Sequence, residues 1–295
     1  MTLSSRCRFG LRADLTLCSI VLAWHHAFSL NFVCGQVMSV PRRIIFCLGA
    51  PRSGTTLLAS LLCESDQAFP MVPECTFITQ LIQRFHDTLH YSDPGRFRAF
   101  VQSEQNLIRI FKPSIDGFIE TVLRNFSDSN ARQLVLKDPE LTIYADCITK
   151  FFDAPKVVCI IRDPREVVAS FRVMFEKKNE PIAFERLVAL TFNYYYRIFQ
   201  SELANAGAIH FVRYDKIVER DEREFEALEA YLGYNVGRRG FGNVWLEFEK
   251  DDAAYSKNYG KEIQKRAGGS SLSAEEATAV QQVFSGYNTI YNWWE

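Results

Sequence analysis

The segment Gly49-Ala50-Pro51-Arg52-Ser53-Gly54-Thr55-Thr56-Leu57-Leu58 concentrates the groups that an anion needs. Two glycines five residues apart let the backbone wrap closely around a ligand. The apolar run Ile44–Leu48 precedes the segment and the stretch Thr55–Leu62 follows it, so it reads as a turn between a buried strand and a helix. Free N–H groups at such a helix start, together with the helix dipole, favour negative charge. Ser53, Thr55 and Thr56 add hydroxyl donors and Arg52 adds a fixed positive charge. The nucleoside-triphosphate version of this loop, GxxxxGK[ST], has a lysine where Thr55 stands. The cradle is kept, and the ammonium that reaches β- and γ-phosphates is missing, which would handicap a triphosphate hydrolase. The competing reading is a tight strand-to-helix turn with incidental hydroxyls.

A second constellation lies in VVCIIRDPREVVAS, residues 157–170. A β-branched run ends in Arg162, Asp163 is placed to cap a helix, and Pro164 suits its first position. Ser170 falls about two turns into that helix. A cation at a strand end and a hydroxyl on the next helix can grip one phosphate from two sides. Seen alone, the segment has a competing reading as a capped helix with a surface arginine.

With both constellations in view, GAPRSGTTLL resembles the 5′-phosphosulfate loop of sulfotransferases that use 3′-phosphoadenosine 5′-phosphosulfate (PAPS), and VVCIIRDPREVVASF resembles their 3′-phosphate motif. The resemblance runs from about Arg43 to Tyr214, with a weaker tail to about residue 266. It is closer to the tyrosylprotein and bacterial enzymes than to the cytosolic phenol-type ones, whose catalytic histidine has no counterpart here. It implies that Arg52, Ser53, Gly54, Thr55 and Thr56 hold the 5′-phosphosulfate, that Arg162 and Ser170 hold the 3′-phosphate, and that Tyr214 in VRYDKIV lines the nucleotide. Glu74, in VPECTFITQL, matches the catalytic base, and Lys137, in LKDPE, matches a lysine near the transferring group. Ser256, Lys257, Lys261 and Arg266 match a loop that closes over the nucleotide; a solvated charged loop is an equal reading. Two positions depart from the pattern: Pro73 replaces the glycine before the base, and Met174 stands where close relatives carry a second arginine for the 3′-phosphate.

The implied reaction is in-line sulfuryl transfer from PAPS to an acceptor hydroxyl or amine, with no metal required. Glu74 would take the acceptor proton, while Arg52 and Lys137 would stabilise charge on the sulfuryl and bridging oxygens. The bland alternatives are a helix-start carboxylate beside Thr76 for Glu74, and an ion pair with Asp138 or Glu140 for Lys137.

The elements that must position these groups alternate. Short apolar runs at Ile44–Leu48, Leu134–Leu136, Val157–Ile161 and Ile209–Val212 read as strands, and Ala68–Val72 as a further one. Helices are expected over Thr55–Leu62, Phe77–Leu89, Phe97–Leu123, Leu141–Phe152, Pro164–Phe175, Ile182–Leu203 and Glu222–Leu232. Residues 235–270 read as a long loop. Ser273 and Glu276 form a capping box that opens a last helix to about Tyr287. This order predicts an α/β fold, a P-loop-type parallel sheet flanked by helices on both faces, with ligands at the carboxyl ends of the strands.

The 295 residues, 47% hydrophobic and 23% charged, suit one large globular domain. A formal net charge of −1 offers no global field to nucleic acid, and no basic stripe appears, so a nucleic-acid partner is not expected. The 8 cysteines show no metal-ligand spacing, and Cys47, Cys63 and Cys159 read as buried free thiols of a reducing compartment. Residues 1–37, with Arg6, Arg8 and Arg12 before an apolar stretch broken by His25, His26 and Asn31, read as a leader or over-extended start before a domain at 38–295. That makes a cytoplasmic location the expectation and membrane contact not expected, unless the segment is a signal anchor. His86 and His90, at i and i+4, read as a solvent-facing helix turn rather than a metal site, and Asn193–Phe199 as aromatic helix packing. The acceptor is left open among sugars, lipids, phenols and peptide tyrosines. Two other functions stay in play: a P-loop kinase or triphosphatase, and a catalytically silent nucleotide-binding module.

Overall fold

The computed structural model of the protein describes residues 43–127, 129–245 and 272–295. Four parallel strands form the sheet: β1 (Arg43–Leu48), β2 (Gln133–Lys137), β3 (Lys156–Ile161) and β4 (Ile209–Arg213), in the order β2-β1-β3-β4. Their β-branched and apolar residues alternate between two cores. Phe46, Leu48, Leu134, Leu136, Val157, Cys159 and Ile161 face the larger one. Ile45, Cys47, Val135, Val158, Ile160 and Val212 face the other. Burial on both faces is why these strands read as continuous apolar runs rather than alternating ones.

The smaller core is closed by α1 (Thr55–Leu62), through Leu58, Ala59, Leu61 and Leu62, and by α10 (Glu222–Leu232), reached from β4 through α9 (Tyr214–Glu219). The larger core is closed by α2 (Thr76–Tyr91), α4 (Glu104–Arg124), α6 (Pro164–Lys177) and α7 (Phe184–Phe199). Residues of α11 (Ala274–Val283) and α12 (Ser285–Tyr291) complete it. The remaining short helices are α3 (Pro94–Phe100), α5 (Ile148–Phe151) and α8 (Glu202–Asn205), with a 3₁₀ turn over Pro139–Cys147. The expected parallel α/β sheet covered on both faces is what forms. Cys47, Cys63, Cys75, Cys147 and Cys159 are buried free thiols, and burial pushes Cys47 up to about 12 against the pull of Lys137.

Several expected boundaries move. Ala68–Val72 is not a strand: it makes single bridges at Ala68 to Gln133 and at Met71 to Val244. Pro70 and Pro73 supply no N–H, so no ladder can continue through them. The helix expected over Phe97–Leu123 breaks into α3 and α4, with Gln102 at φ 73° and Ser103 accepting from the Asn106 N–H to start the second. The stretch Leu141–Phe152 is mostly 3₁₀ rather than α, kinked at Tyr144. The helix expected over Ile182–Leu203 stops at Phe199 because Ser201 caps α8. The Ser273–Glu276 capping box is present with both of its bonds. Among the described residues, no helix is long and apolar enough to cross a membrane.

Candidate active site

In this strand order β1 lies between β2 and β3, so the chain leaves β1 in one direction and later returns on its other side. The carboxyl ends of β1 and β3 therefore flank a switch point, where an open α/β sheet leaves a crevice. Both sequence constellations emerge there.

The loop after β1 is shaped by its glycines. Gly49 has φ 143°, and a Cβ there would stand 2.7 Å from the Ile160 carbonyl oxygen and 2.7 Å from Ser53 Oγ. Gly54 has φ 109°, and its Cβ would strike the Tyr214 ring at 2.6 Å. Arg52 also takes a positive φ of 72°. The Ser53 N–H donates to the Ala50 carbonyl at 3.0 Å, closing the turn. Thr142 ties the loop to the 3₁₀ turn after β2: the Gly49 N–H donates to its Oγ1 at 2.9 Å, and that hydroxyl donates back to the Gly49 carbonyl at 3.0 Å. Gly54 caps helix α1 with no side-chain cap bond, so the first N–H groups of the helix lack the usual side-chain acceptor. Ser53 is 1% exposed, and its hydroxyl finds no hydrogen-bond partner among the described residues. A buried hydroxyl without a partner, inside a cradle with no room for a Cβ, suits a phosphate- or sulfate-like anion.

The corner after β3 joins this loop. Asp163 caps α6 by accepting from the Arg165 N–H at 2.9 Å, with Pro164 at the first helical position. Arg52 Nε donates to Ser170 Oγ at 3.1 Å, and Arg162 Nη1 donates to the Arg52 carbonyl at 3.1 Å. The Arg162 guanidinium also donates to Glu166 at 2.7 Å and lies 4.1 Å from the centre of the Tyr214 ring. Arg52, Ser53, Gly54, Arg162, Ser170 and Tyr214 thus meet in one place, though they are drawn from three strand ends. The Tyr195 hydroxyl, on α7, donates to the Arg162 carbonyl. Sequence reasoning took Tyr195 only as packing, and an aromatic residue in a helix carries no local sign of such a partner.

Glu74 and Lys137 form the second half of the site. Lys137 closes β2 and is 3% exposed. Its Nζ donates to Glu74 Oε1 at 2.7 Å and to Thr56 Oγ1 at 3.3 Å. Among the ion pairs of the described residues its partner is Glu74, not the alternatives Asp138 or Glu140. Asp138 instead caps the 3₁₀ turn through the Glu140 N–H, and Glu140 accepts from the Tyr194 hydroxyl at 2.5 Å. Glu74 precedes α2, whose cap is Cys75, and the Cys75 N–H donates to the Lys137 carbonyl at 3.0 Å. That backbone bond sets the carboxylate against the lysine despite Pro73. Asp138 is 2% exposed, and burial pushes its carboxyl up against the opposing influence of Thr79 and the Glu140 amide. Thr55, buried at the start of α1, receives the Cys47 thiol on its carbonyl, and Lys137 reaches the neighbouring Thr56 from β2. An ammonium from β2 therefore stands beside the start of α1, although the loop itself carries no lysine.

Other singled-out residues fall elsewhere. Met174 packs against the larger core, and Arg172 on the same helix pairs with Glu276 at 2.5 Å. His86 is not solvent-facing as expected: its side chain is 19% exposed and packs against His90, Tyr91 and Tyr144. Phe77 and Phe118 stack in parallel at 5.5 Å on the outer side of α2 and α4, Phe77 being three residues beyond Glu74. Ser256, Lys257, Lys261 and Arg266 lie outside the described residues, as do residues 1–37.

The family model described as "Sulfotransferase family" matches residues 44–237, well over half of the chain, a span that contains Arg52, Glu74, Lys137, Arg162, Ser170 and Tyr214. The chain belongs to the sulfotransferase family. A candidate protein-tyrosine sulfotransferase of Caenorhabditis briggsae is 26% identical over 196 residues, covering 64% of this chain and 65% of that one. Nodulation protein NoeE of Sinorhizobium fredii is 25% identical over 222 residues, covering 68% of this chain and 52% of its own length. The match thus spans between half and two-thirds of these relatives. The sulfotransferase domain of the Synechococcus PCC 7002 olefin synthase superposes with a TM-score of 0.53 at 17% identity, covering 83% of this chain and 95% of that domain. That likeness concerns the sulfotransferase fold.

Proposed function

We propose that this sulfotransferase takes its sulfuryl group from PAPS and passes it to an acceptor hydroxyl or amine, with Glu74 as general base. The observation that carries the reading is the contact of Arg52 with Ser170, which brings the β1 loop and the β3 corner together and so supports a single polyanion site. A single phosphate would need only one of the two. PAPS, when bound, supplies an activated sulfuryl group on its 5′-phosphate. The Gly49–Gly54 cradle, Ser53 and the start of α1 would hold that end, while Arg162 and Ser170 would hold the 3′-phosphate. Tyr214 fixes the plane of the Arg162 guanidinium and lines the nucleotide. Lys137, held by Glu74 and Thr56, sits where an ammonium can steady negative charge on the transferring group. Glu74 is 30% exposed, so an acceptor can reach its carboxylate. As the acceptor oxygen or nitrogen bonds to sulfur and the sulfur–oxygen bond to the nucleotide breaks, its proton passes to that carboxylate. The stacked Phe77 and Phe118 offer an apolar surface beside this opening.

Calorimetric titration with adenosine 3′,5′-bisphosphate, without Mg²⁺, tests the reading. The wild type is expected to bind, and Arg162→Ala to bind about 10- to 100-fold more weakly, the loss of charge-assisted hydrogen bonds. Absence of binding, with Mg²⁺–ATP bound instead, would favour a kinase-like site. Binding that persists while no acceptor is ever sulfated would favour a silent nucleotide-binding module.

A further inference from the structure

The β3–β4 ladder ends at the pair Ile161–Arg213, so Arg162 lies one residue beyond it. Its backbone there is no longer aligned by strand pairing, yet its guanidinium must point between Glu166, the Arg52 carbonyl and the Tyr214 ring. The Tyr195 hydroxyl takes over by donating to the Arg162 carbonyl. Tyr195 is 2% exposed, and burial pushes its hydroxyl well above the usual range, so it stays a donor. Its ring is held edge-on by Phe284 at 5.2 Å, Tyr287 at 5.7 Å and Trp293 at 6.3 Å. A second brace runs alongside. Arg165 is gripped by Asp163 at 2.6 Å, donates to the Trp293 carbonyl at 3.3 Å and lies 4.9 Å from the centre of the Trp294 ring. The residues after α11 therefore form an aromatic floor under the Arg162–Arg165 corner.

We infer that Tyr195 is a positioning residue for the nucleotide's 3′-phosphate, fixing through the Arg162 carbonyl the direction from which that guanidinium meets the ligand. The inference rests on the proposed PAPS site. Any buried tyrosine hydroxyl needs an acceptor; here the acceptor is the carbonyl of the residue whose guanidinium enters the site, a bond that a phenylalanine filling the same space would not make.

The test compares adenosine 3′,5′-bisphosphate with adenosine 5′-monophosphate, which differ only in the 3′-phosphate, on the full chain in the cold, where a modest loss of melting temperature leaves the protein folded. The readout is the ratio of the two dissociation constants. Tyr195→Phe keeps the ring and is expected to reduce the wild-type preference for the bisphosphate roughly fivefold, with the monophosphate bound as before. A purely structural role would weaken both ligands together and leave the ratio unchanged, which overturns the inference. Arg162→Ala separates the two levels. If it abolishes the preference while Tyr195→Phe preserves it, the positioning role alone fails. If the wild type shows no preference, or Arg162→Ala leaves it intact, the placement of the 3′-phosphate fails and the inference falls with it.

Discussion

Replacing Glu74 separates two jobs that its carboxylate is proposed to do: hold Lys137 and accept a proton. The Lys137 side chain is 4% exposed and that of Glu74 is 30% exposed, with 2.7 Å between nitrogen and oxygen. Removing one partner of a fully buried pair costs about 3–5 kcal/mol because a charge is left in the interior. Here water can reach the vacated carboxylate position, and Thr56 Oγ1 stays 3.3 Å from the ammonium. Glu74→Ala should therefore cost about 2–3 kcal/mol, below the range for a sealed pair. In a domain of this size each kcal/mol lowers the melting temperature by about 2–4 °C, which gives a fall of roughly 4–12 °C. Glu74→Gln keeps an oxygen for the ammonium and loses only the charge, so its cost should be about 1 kcal/mol. The rates should not follow this order. Neither side chain can take a proton, so both variants should lose about 10²- to 10⁴-fold in transfer rate, or about 3–5 kcal/mol of barrier. Radiolabelled sulfuryl transfer at saturating PAPS, beside scanning calorimetry of the same preparations, reads both quantities. A Gln variant that turns over within about threefold of wild type would refute the base assignment. An Ala variant that melts with the Gln variant would refute the claim that Glu74 holds the buried lysine.

Two further substitutions read the site through opposite signs. Ser53→Ala removes a buried hydroxyl that has no partner among the described residues. The free protein should melt at the same temperature or higher, by up to about 1 kcal/mol, while its affinity for adenosine 3′,5′-bisphosphate falls about tenfold; a destabilised free protein with unchanged affinity would contradict the cradle. Asp138→Asn tests burial of a carboxyl whose folded value is raised above the usual 3.8. Between its unfolded and folded values the native state binds more protons than the unfolded chain, so this group's contribution to stability falls as pH rises through that window. The Asn variant, which can still accept from the Glu140 N–H, should therefore gain on wild type as pH rises from the usual 3.8 through the raised folded value, and lose that advantage again in acid, as followed by denaturant midpoints across pH. A difference that does not vary with pH would show that Asp138 carries no such penalty.

Features governed by a few neighbouring residues were legible. The Gly49–Gly54 turn, the Asp163–Pro164 helix start and the Ser273–Glu276 box follow from local backbone geometry and short-range hydrogen bonds. Where expectation and structure part, the deciding contact lies elsewhere. Ala68–Val72 has strand-like composition, but Pro70 and Pro73 deny it a ladder. The α3–α4 break turns on a left-handed Gln102, a conformation that a glutamine does not advertise. His86 carries a helix-surface pattern and is covered by Tyr144 from the 3₁₀ turn.

The four sheet strands and the glycine-bounded loop after β1 were readable from short stretches of residues, because apolar runs, glycine spacing and helix caps act locally. Which of the candidate residues come into contact depends instead on the packing of distant segments. Glu74 and Lys137 are 63 residues apart, Arg52 and Ser170 are 118 apart, and Tyr195 reaches Arg162 from α7. These contacts depend on distance and direction at the ends of β1, β2 and β3 and on how α7 packs against them. The sheet order β2-β1-β3-β4 sets the arrangement of the strand ends, since it places the β2 lysine and the β3 arginine on either side of the loop that follows β1.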